Sequence, residues 1–203
     1  PGCPDGVLLV RPKGNLAGHA GLSPASEPQP LRRVVAAFAE ILKKGVLEIP
    51  KLGSLGVHPS LLPKYRGPTP IQNAILNGDQ ETGVTLYLID EKIDNGPIIA
   101  IKRCQIAANE THKTLLKKLA ELSGELLAET LPKFIEGSIK PSEQDDTQAS
   151  YTKKFTSADG FIDLIKDNPI AIARKVRALN PEPGVWTKVN EKRVKLLEVE
   201  IID

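Results

Sequence analysis

The sequence predicts an α/β protein with a mostly parallel sheet, and three observations predict it. The continuous apolar run Val34-Val35-Ala36-Ala37-Phe38 suits a strand covered on both faces, the habit of parallel sheets. A short helix or turn over 41–50 and a second brief strand, Leu52 to His58, complete one parallel crossover. The stretch Asn109 to Ile135 places Leu115, Leu119, Leu122 and Leu126 at helical spacing, as a helix covering a sheet requires.

Each element has a local cause. Residues 1–33 read as an irregular leader: Val7-Leu8-Leu9-Val10 suits a buried strand, but glycines and prolines punctuate the residues after it. His19 falls there and receives no role. Thr69-Pro70-Ile71-Gln72 reads as a helix start, with Thr69 capping, Pro70 first and Gln72 completing a capping box. Ile71, Ala74 and Ile75 form its apolar face, and Gly78 closes it. Its free amides, with Arg66 just before them, predict an anion-friendly spot.

Val84, Leu86 and Leu88 share one strand face. The strands 84–89 and 97–101, joined by the turn 90–96, predict an antiparallel pair extending the sheet. Asn109 or Thr111 caps the long helix, and Gly137 and Pro141 end it. The polar, acidic segment from Ser142 to Gln148 reads as a linker over 142–150, separating a unit at 34–141 from one at 151–203. In the latter, Asn168-Pro169 starts a helix carrying Ile172, Val176 and Leu179, and a hairpin turns around Asn190-Glu191-Lys192.

Composition narrows the function classes. Of 203 residues, 40% are hydrophobic and 26% charged, which suits a globular protein. The formal net charge of +2 does not announce a nucleic-acid binder by bulk charge. Cys3 and Cys104 match no disulfide framework, and with His19, His58 and His112 they form no metal spacing; no metal is expected, and a reduced, cytoplasmic home fits. No apolar run approaches membrane-spanning length, so no membrane partner is expected. The chain starts at Pro1 without a methionine, and residues 1–5 lack the pattern of a secretory signal. A phosphate-binding glycine loop and a strained serine elbow are both missing.

Two turns carry candidate chemistry. The first, Gly56 to Gly67, places His58 at the carboxyl end of a strand, where ligands bind in such sheets, and then turns through Pro59, Pro63 and Gly67. A neutral imidazole there positions a water, donates to a carbonyl oxygen or takes a proton. Ser60 is a nucleophile in principle only. The second, Asp90-Glu91-Lys92-Ile93-Asp94-Asn95-Gly96, offers Asp94 either as a catalytic carboxylate or as a turn residue accepting backbone N–H groups.

The run His58-Pro59-Ser60-Leu61-Leu62-Pro63-Lys64-Tyr65-Arg66-Gly67, with Gln72, Gly83-Val84-Thr85 and Asp94-Asn95-Gly96, resembles the folate-dependent formyltransferases. Tyr151-Thr152-Lys153-Lys154, Asp159-Gly160, Arg177-Ala178-Leu179-Asn180-Pro181, Pro183-Gly184 and Lys192-Arg193-Val194-Lys195 resemble the opening of the carboxyl-terminal domain of methionyl-tRNA formyltransferases. The resemblance runs from about Val34 onward. It implies a partial Rossmann-like catalytic domain followed by the start of a small β-barrel-like domain, truncated at both ends.

It also implies transfer of a formyl group from 10-formyltetrahydrofolate to the amine of methionyl initiator tRNA, through a tetrahedral oxyanion. His58 matches the catalytic histidine, and Asp94 the aspartate that orients it and assists proton removal. Ser60, Leu61, Leu62 and Pro63 match the folate-binding loop. The family carries an asparagine donor two residues before its histidine, where this chain has Gly56. Loss of one such donor costs about 2.7–4 kcal/mol elsewhere, so impaired activity is expected. The alternatives are an inactive folate-binding remnant, a sugar-amine formyltransferase or a formyltetrahydrofolate hydrolase.

Overall fold

The structure, a computed structural model, describes residues 7–10, 32–36, 44–47, 50 and 53–202. Among the described residues, five strands form one sheet in chain order: β1 (Val7–Val10), β2 (Arg32–Ala36), β3 (Ser54–His58), β4 (Glu81–Leu88) and β5 (Ile98–Gln105). Pairing is parallel from β1 to β3 and antiparallel from β3 to β5. The expected crossover is present, with α1 (Lys44–Leu47) between β2 and β3. The sheet as described is mixed rather than mostly parallel. The short connection over 89–97, between β4 and β5, allows only a hairpin, and a parallel return needs a longer crossover. The predicted leader contributes β1, so the sheet begins earlier than position 34.

Helices cover this sheet. In α2 (Pro70–Asn77), Ile71, Ala74 and Ile75 are buried, and Gly78 ends the helix at φ 69°. Thr69 stands at its cap position, but its hydroxyl donates to the Lys153 carbonyl and leaves the helix amides alone. The expected capping box is not formed: the Thr69 hydroxyl oxygen accepts from the Asn73 side-chain amide instead of a helix N–H. In α3 (His112–Ile135), Thr111 and Thr114 cap each other reciprocally, and Leu115, Leu119 and Leu126 are buried toward β4 and β5.

Asn168 caps α4 (Pro169–Leu179) by accepting from the N–H groups of Ile170 and Ala171. This helix packs on α2, so Val176, Ala178 and Leu179 join one apolar cluster with Leu55, Val84, Leu86 and Leu115. The core does not divide at 142–150. The hairpin of β6 (Trp186–Val189) and β7 (Lys192–Lys195) lies beyond, with β7 exposed along its length.

The expected linker is docked rather than free. Ser142 exchanges backbone hydrogen bonds with Ile98, and Tyr151 bridges Arg66. This return of the chain brings residues 142–152 against the two candidate turns.

Candidate active site

β3 ends at His58, and the register opposes it to Thr85 on β4. The Thr85 hydroxyl donates to the Ser60 carbonyl and accepts from the Leu62 N–H, which pins the start of the loop beside the histidine. The Ser60 hydroxyl donates to the Lys64 carbonyl at 2.6 Å. That bond and its burial make Ser60 a loop staple, not a nucleophile. Leu62 is buried as well, while Leu61 and Pro63 are half-exposed. Of the four loop residues expected to meet folate, these last two keep a face for a ligand.

His58 is only 6% exposed. Its Nε2 lies 2.8 Å from the Tyr65 carbonyl oxygen. A carbonyl only accepts, so Nε2 carries the hydrogen and donates. In the neutral ring, Nδ1 then holds the free lone pair. It faces Asp94 Oδ2 at 3.6 Å, just beyond hydrogen-bond reach. Burial pushes the imidazole below its ordinary pKa, against the opposing pull of the Asp94 charge and of the Tyr65 carbonyl. A neutral base with its lone pair aimed at a carboxylate is ready to take a proton, since the resulting cation has a counter-charge in place.

Asp94 is fixed from two sides. Its Oδ2 accepts the Gly67 N–H at 2.7 Å, and its Oδ1 accepts the Tyr87 hydroxyl at 2.6 Å. Its backbone φ of 48° is left-handed, which Asp tolerates better than most residues. Gly67 has φ 102°, and a Cβ there would meet the Thr152 carbonyl at 2.8 Å. Glycine is thus required both by conformation and by the close approach of segment 152.

Sequence reasoning brought His58 and Asp94 together but missed what holds them. The Gln144 Nε2 donates to the carbonyls of Asp94 and Gly96, at 2.9 and 2.8 Å. Its Oε1 accepts from Arg66 Nε and Nη2, at 3.1 and 2.8 Å. One amide therefore ties the second turn to the first. Arg66 is fully buried and also binds Asp146 and the Tyr151 hydroxyl. Arg66 does not contribute to the anion-friendly spot predicted at the start of α2, because its guanidinium is consumed by these partners. The Thr69 N–H is likewise taken by Thr152 Oγ1.

A signal for Thr85 and Tyr87 was present. With Val84, Leu86 and Leu88 on one face of β4, residues 85 and 87 must lie on the other. Nothing comparable pointed to Gln144. A cleft of about 240 Å³ is lined by Leu61, Lys64, Tyr65, Asp79, Glu81, Thr82 and Arg103, and by neither His58 nor Asp94. Among the described residues, no cluster of His, Cys, Asp and Glu is placed to hold a metal ion.

The family model for formyl transferase matches residues 25–131, and that for the formyl transferase C-terminal domain matches residues 154–203. The chain belongs to the formyl transferase family. It is 42% identical over 198 residues to a methionyl-tRNA formyltransferase of Kosmotoga olearia, covering 98% of this chain and 63% of the relative. A Roseiflexus methionyl-tRNA formyltransferase is 40% identical over 197 residues, covering 97% and 60%. The chain thus spans somewhat over half the length of these relatives. The likeness also reaches well before Val34, so the limit expected from the motifs is corrected: the residues ahead of it carry family sequence despite their irregular composition.

Among solved structures, HypX from Aquifex aeolicus in complex with tetrahydrofolic acid superposes with a TM-score of 0.73 at 25% identity, over 83% of this chain and 29% of that one. An N-formyltransferase from Helicobacter canadensis, in complex with folinic acid and dTDP-3-aminofucose, gives 0.67 at 26% identity, over 81% and 60%. The fold is therefore a Rossmann-like formyltransferase fold, in keeping with the α/β sheet described above. Among the described residues, no helix is long and apolar enough to cross a membrane.

Proposed function

We propose that this chain carries the catalytic pair of a methionyl-tRNA formyltransferase, moving a formyl group from 10-formyltetrahydrofolate to the amine of initiator methionyl-tRNA. The observation that carries the reading is Nδ1 of buried His58 facing the anchored Asp94 carboxylate at 3.6 Å, with Nε2 engaged by the Tyr65 carbonyl. Support comes from the named relatives and from the tetrahydrofolate bound by HypX.

The bound folate supplies the formyl carbon and departs as tetrahydrofolate. The residues of this chain handle the proton. An attacking amine must shed one as its nitrogen bonds to the formyl carbon. His58 Nδ1 accepts that proton, directly or through one water, and the proton is then returned to the folate nitrogen as its bond to the formyl carbon breaks, while the Nε2–H bond to Tyr65 keeps the ring from turning. Asp94 supplies the counter-charge that makes the imidazolium tolerable in a buried place. Leu61 and Pro63 present the half-exposed apolar face against which a pteridine ring is expected to rest. Ser60 and Leu62 act by fixing that loop. The protein works in the cytoplasm, where charged initiator tRNA is found.

The test is formylation of charged initiator tRNA by the wild type and by His58→Gln. The expected loss is on the order of 10²–10⁴-fold, the usual weight of a general base. Equal rates in the two proteins would overturn the proposal. So would formate release, or formylation of a sugar-nucleotide amine, in place of tRNA formylation.

A further inference from the structure

Gly56 and Tyr87 are direct cross-strand partners in the β3–β4 register. Directly opposed residues project from the same face of the sheet, and His58, two residues along β3 from Gly56, shares it. The Tyr87 ring occupies the volume above Gly56. A Cβ placed on Gly56 would meet Tyr87 Cε1 at 2.3 Å, Cζ at 2.4 Å and the hydroxyl oxygen at 2.8 Å. All three lie inside van der Waals contact, and a buried ring flanked by core cannot retreat freely. The ring therefore lies across β3 because that position bears no side chain.

Lying there, Tyr87 reaches Asp94. Its hydroxyl donates to Asp94 Oδ1 at 2.6 Å, a short, charge-assisted bond. The hydroxyl is only a donor in this setting. Burial, the Asp94 charge and the bond to Asp94 all push its pKa above the ordinary tyrosine value, with a further push from Asp90. The titratable groups around it are thus Asp94 and Asp90 from the second turn, with His58 beyond Asp94.

We propose that Tyr87 is a positioning residue of the site, holding the Asp94 carboxylate toward His58 through its hydroxyl, and that Gly56 is required because a Cβ there would displace the Tyr87 ring. The inference deepens the reading of His58 and Asp94 as the working pair and rests on it. It also revises the meaning of Gly56. The position is not a hole left by a lost side chain, because Tyr87 has taken the space. Restoring a donor by Gly56→Asn alone is then expected to fail, because the new side chain collides with the ring.

The experiment reads His58 directly, by NMR titration of its ring signals in the whole chain, without substrate. Tyr87→Phe keeps the ring and removes the hydroxyl. The carboxylate is then no longer held toward the imidazole, and its charge raises the His58 pKa less. The His58 pKa is expected to fall by about half a unit or more. In an Asp94→Asn background the same substitution is expected to leave it unmoved. Gly56→Ala should reproduce the Tyr87→Phe shift, and the double variant Gly56→Ala/Tyr87→Phe should add nothing further.

An unchanged or raised His58 pKa in Tyr87→Phe would overturn the proposal, as would an equal shift without Asp94. If Gly56→Ala does not fold, Gly56→Ala/Tyr87→Leu supplies the test of space. Recovery of folding there supports the steric claim, and continued failure overturns it. Because the titration needs no formyl transfer, a coupling found beside unchanged activity in His58→Gln would separate this inference from the proposed function.

Discussion

The loop from His58 to Gly67 and the hairpin from Trp186 to Lys195 are both turns, and they are held in opposite ways. The hairpin is local. Asn190 and Glu191 both take positive φ, 48° and 60°, as a tight two-residue turn demands, and its strands pair with each other along their length, with Trp186 also bridging to Phe161. The loop is held from afar. Ser150 supplies partners to the N–H groups of Tyr65 and Arg66, Thr152 contacts Gly67 and Thr69, and Gln144 bridges Arg66 to the Asp94 turn. A turn made by its own residues is legible and replaceable. A turn made by segments remote in the chain is neither, and that is the one bearing the proposed chemistry.

Substitutions in the two regions should therefore differ in kind. The largest effect belongs to the network around the loop. Gln144→Ala leaves the buried Arg66 guanidinium and two carbonyls short of partners at once. The expected cost is about 1–3 kcal/mol of stability, measured by urea denaturation, together with a displaced His58 resonance. If stability fell while His58 stayed unmoved, the segment would be holding the fold without holding the site.

A middle-sized effect concerns acid. The folded His58 has its pKa lowered from 6.5, chiefly by burial. The unfolded chain therefore binds that proton more readily. The group's contribution to stability is present above about pH 6.5 and is lost as pH falls toward the lower folded value. His112, also lowered by burial, acts with the same sign. Stability measured from about pH 7.5 to 5 is expected to fall, and His58→Gln should flatten that slope while His112 keeps it from vanishing. A slope untouched by His58→Gln would sharpen the comparison against the site.

The smallest effect lies in the hairpin. Glu191→Gly relieves a side chain held at φ 60° and is expected to stabilise the protein by no more than about 1 kcal/mol, seen in the denaturation midpoint. His58 should not register it. A shift at His58 would show that the hairpin and the loop are coupled after all.

How much of the molecule is legible in its sequence divides along the same line. Pro70, Gly78, the leucines of α3 and the Asn168-Pro169 start all act through neighbours in sequence, and each element formed where those residues placed it. The meeting of His58 and Asp94 was legible only through the family motif, since no periodicity links positions 58 and 94. Thr69 and Arg66 were misread because other side chains take over their expected roles: the Asn73 amide donates to the Thr69 hydroxyl, and Gln144 engages the Arg66 guanidinium. Gly56 was read as a deficit because a sequence shows a missing side chain but not the Tyr87 ring that fills its place.

The most direct test of the account is single-turnover formyl transfer to charged initiator tRNA by Asp94→Asn, followed across pH beside the wild type. The account predicts a loss on the order of 10²-fold or more and a displaced acid limb, because the imidazolium loses its counter-charge. An Asp94→Asn enzyme with wild-type rate and an unshifted profile would contradict it.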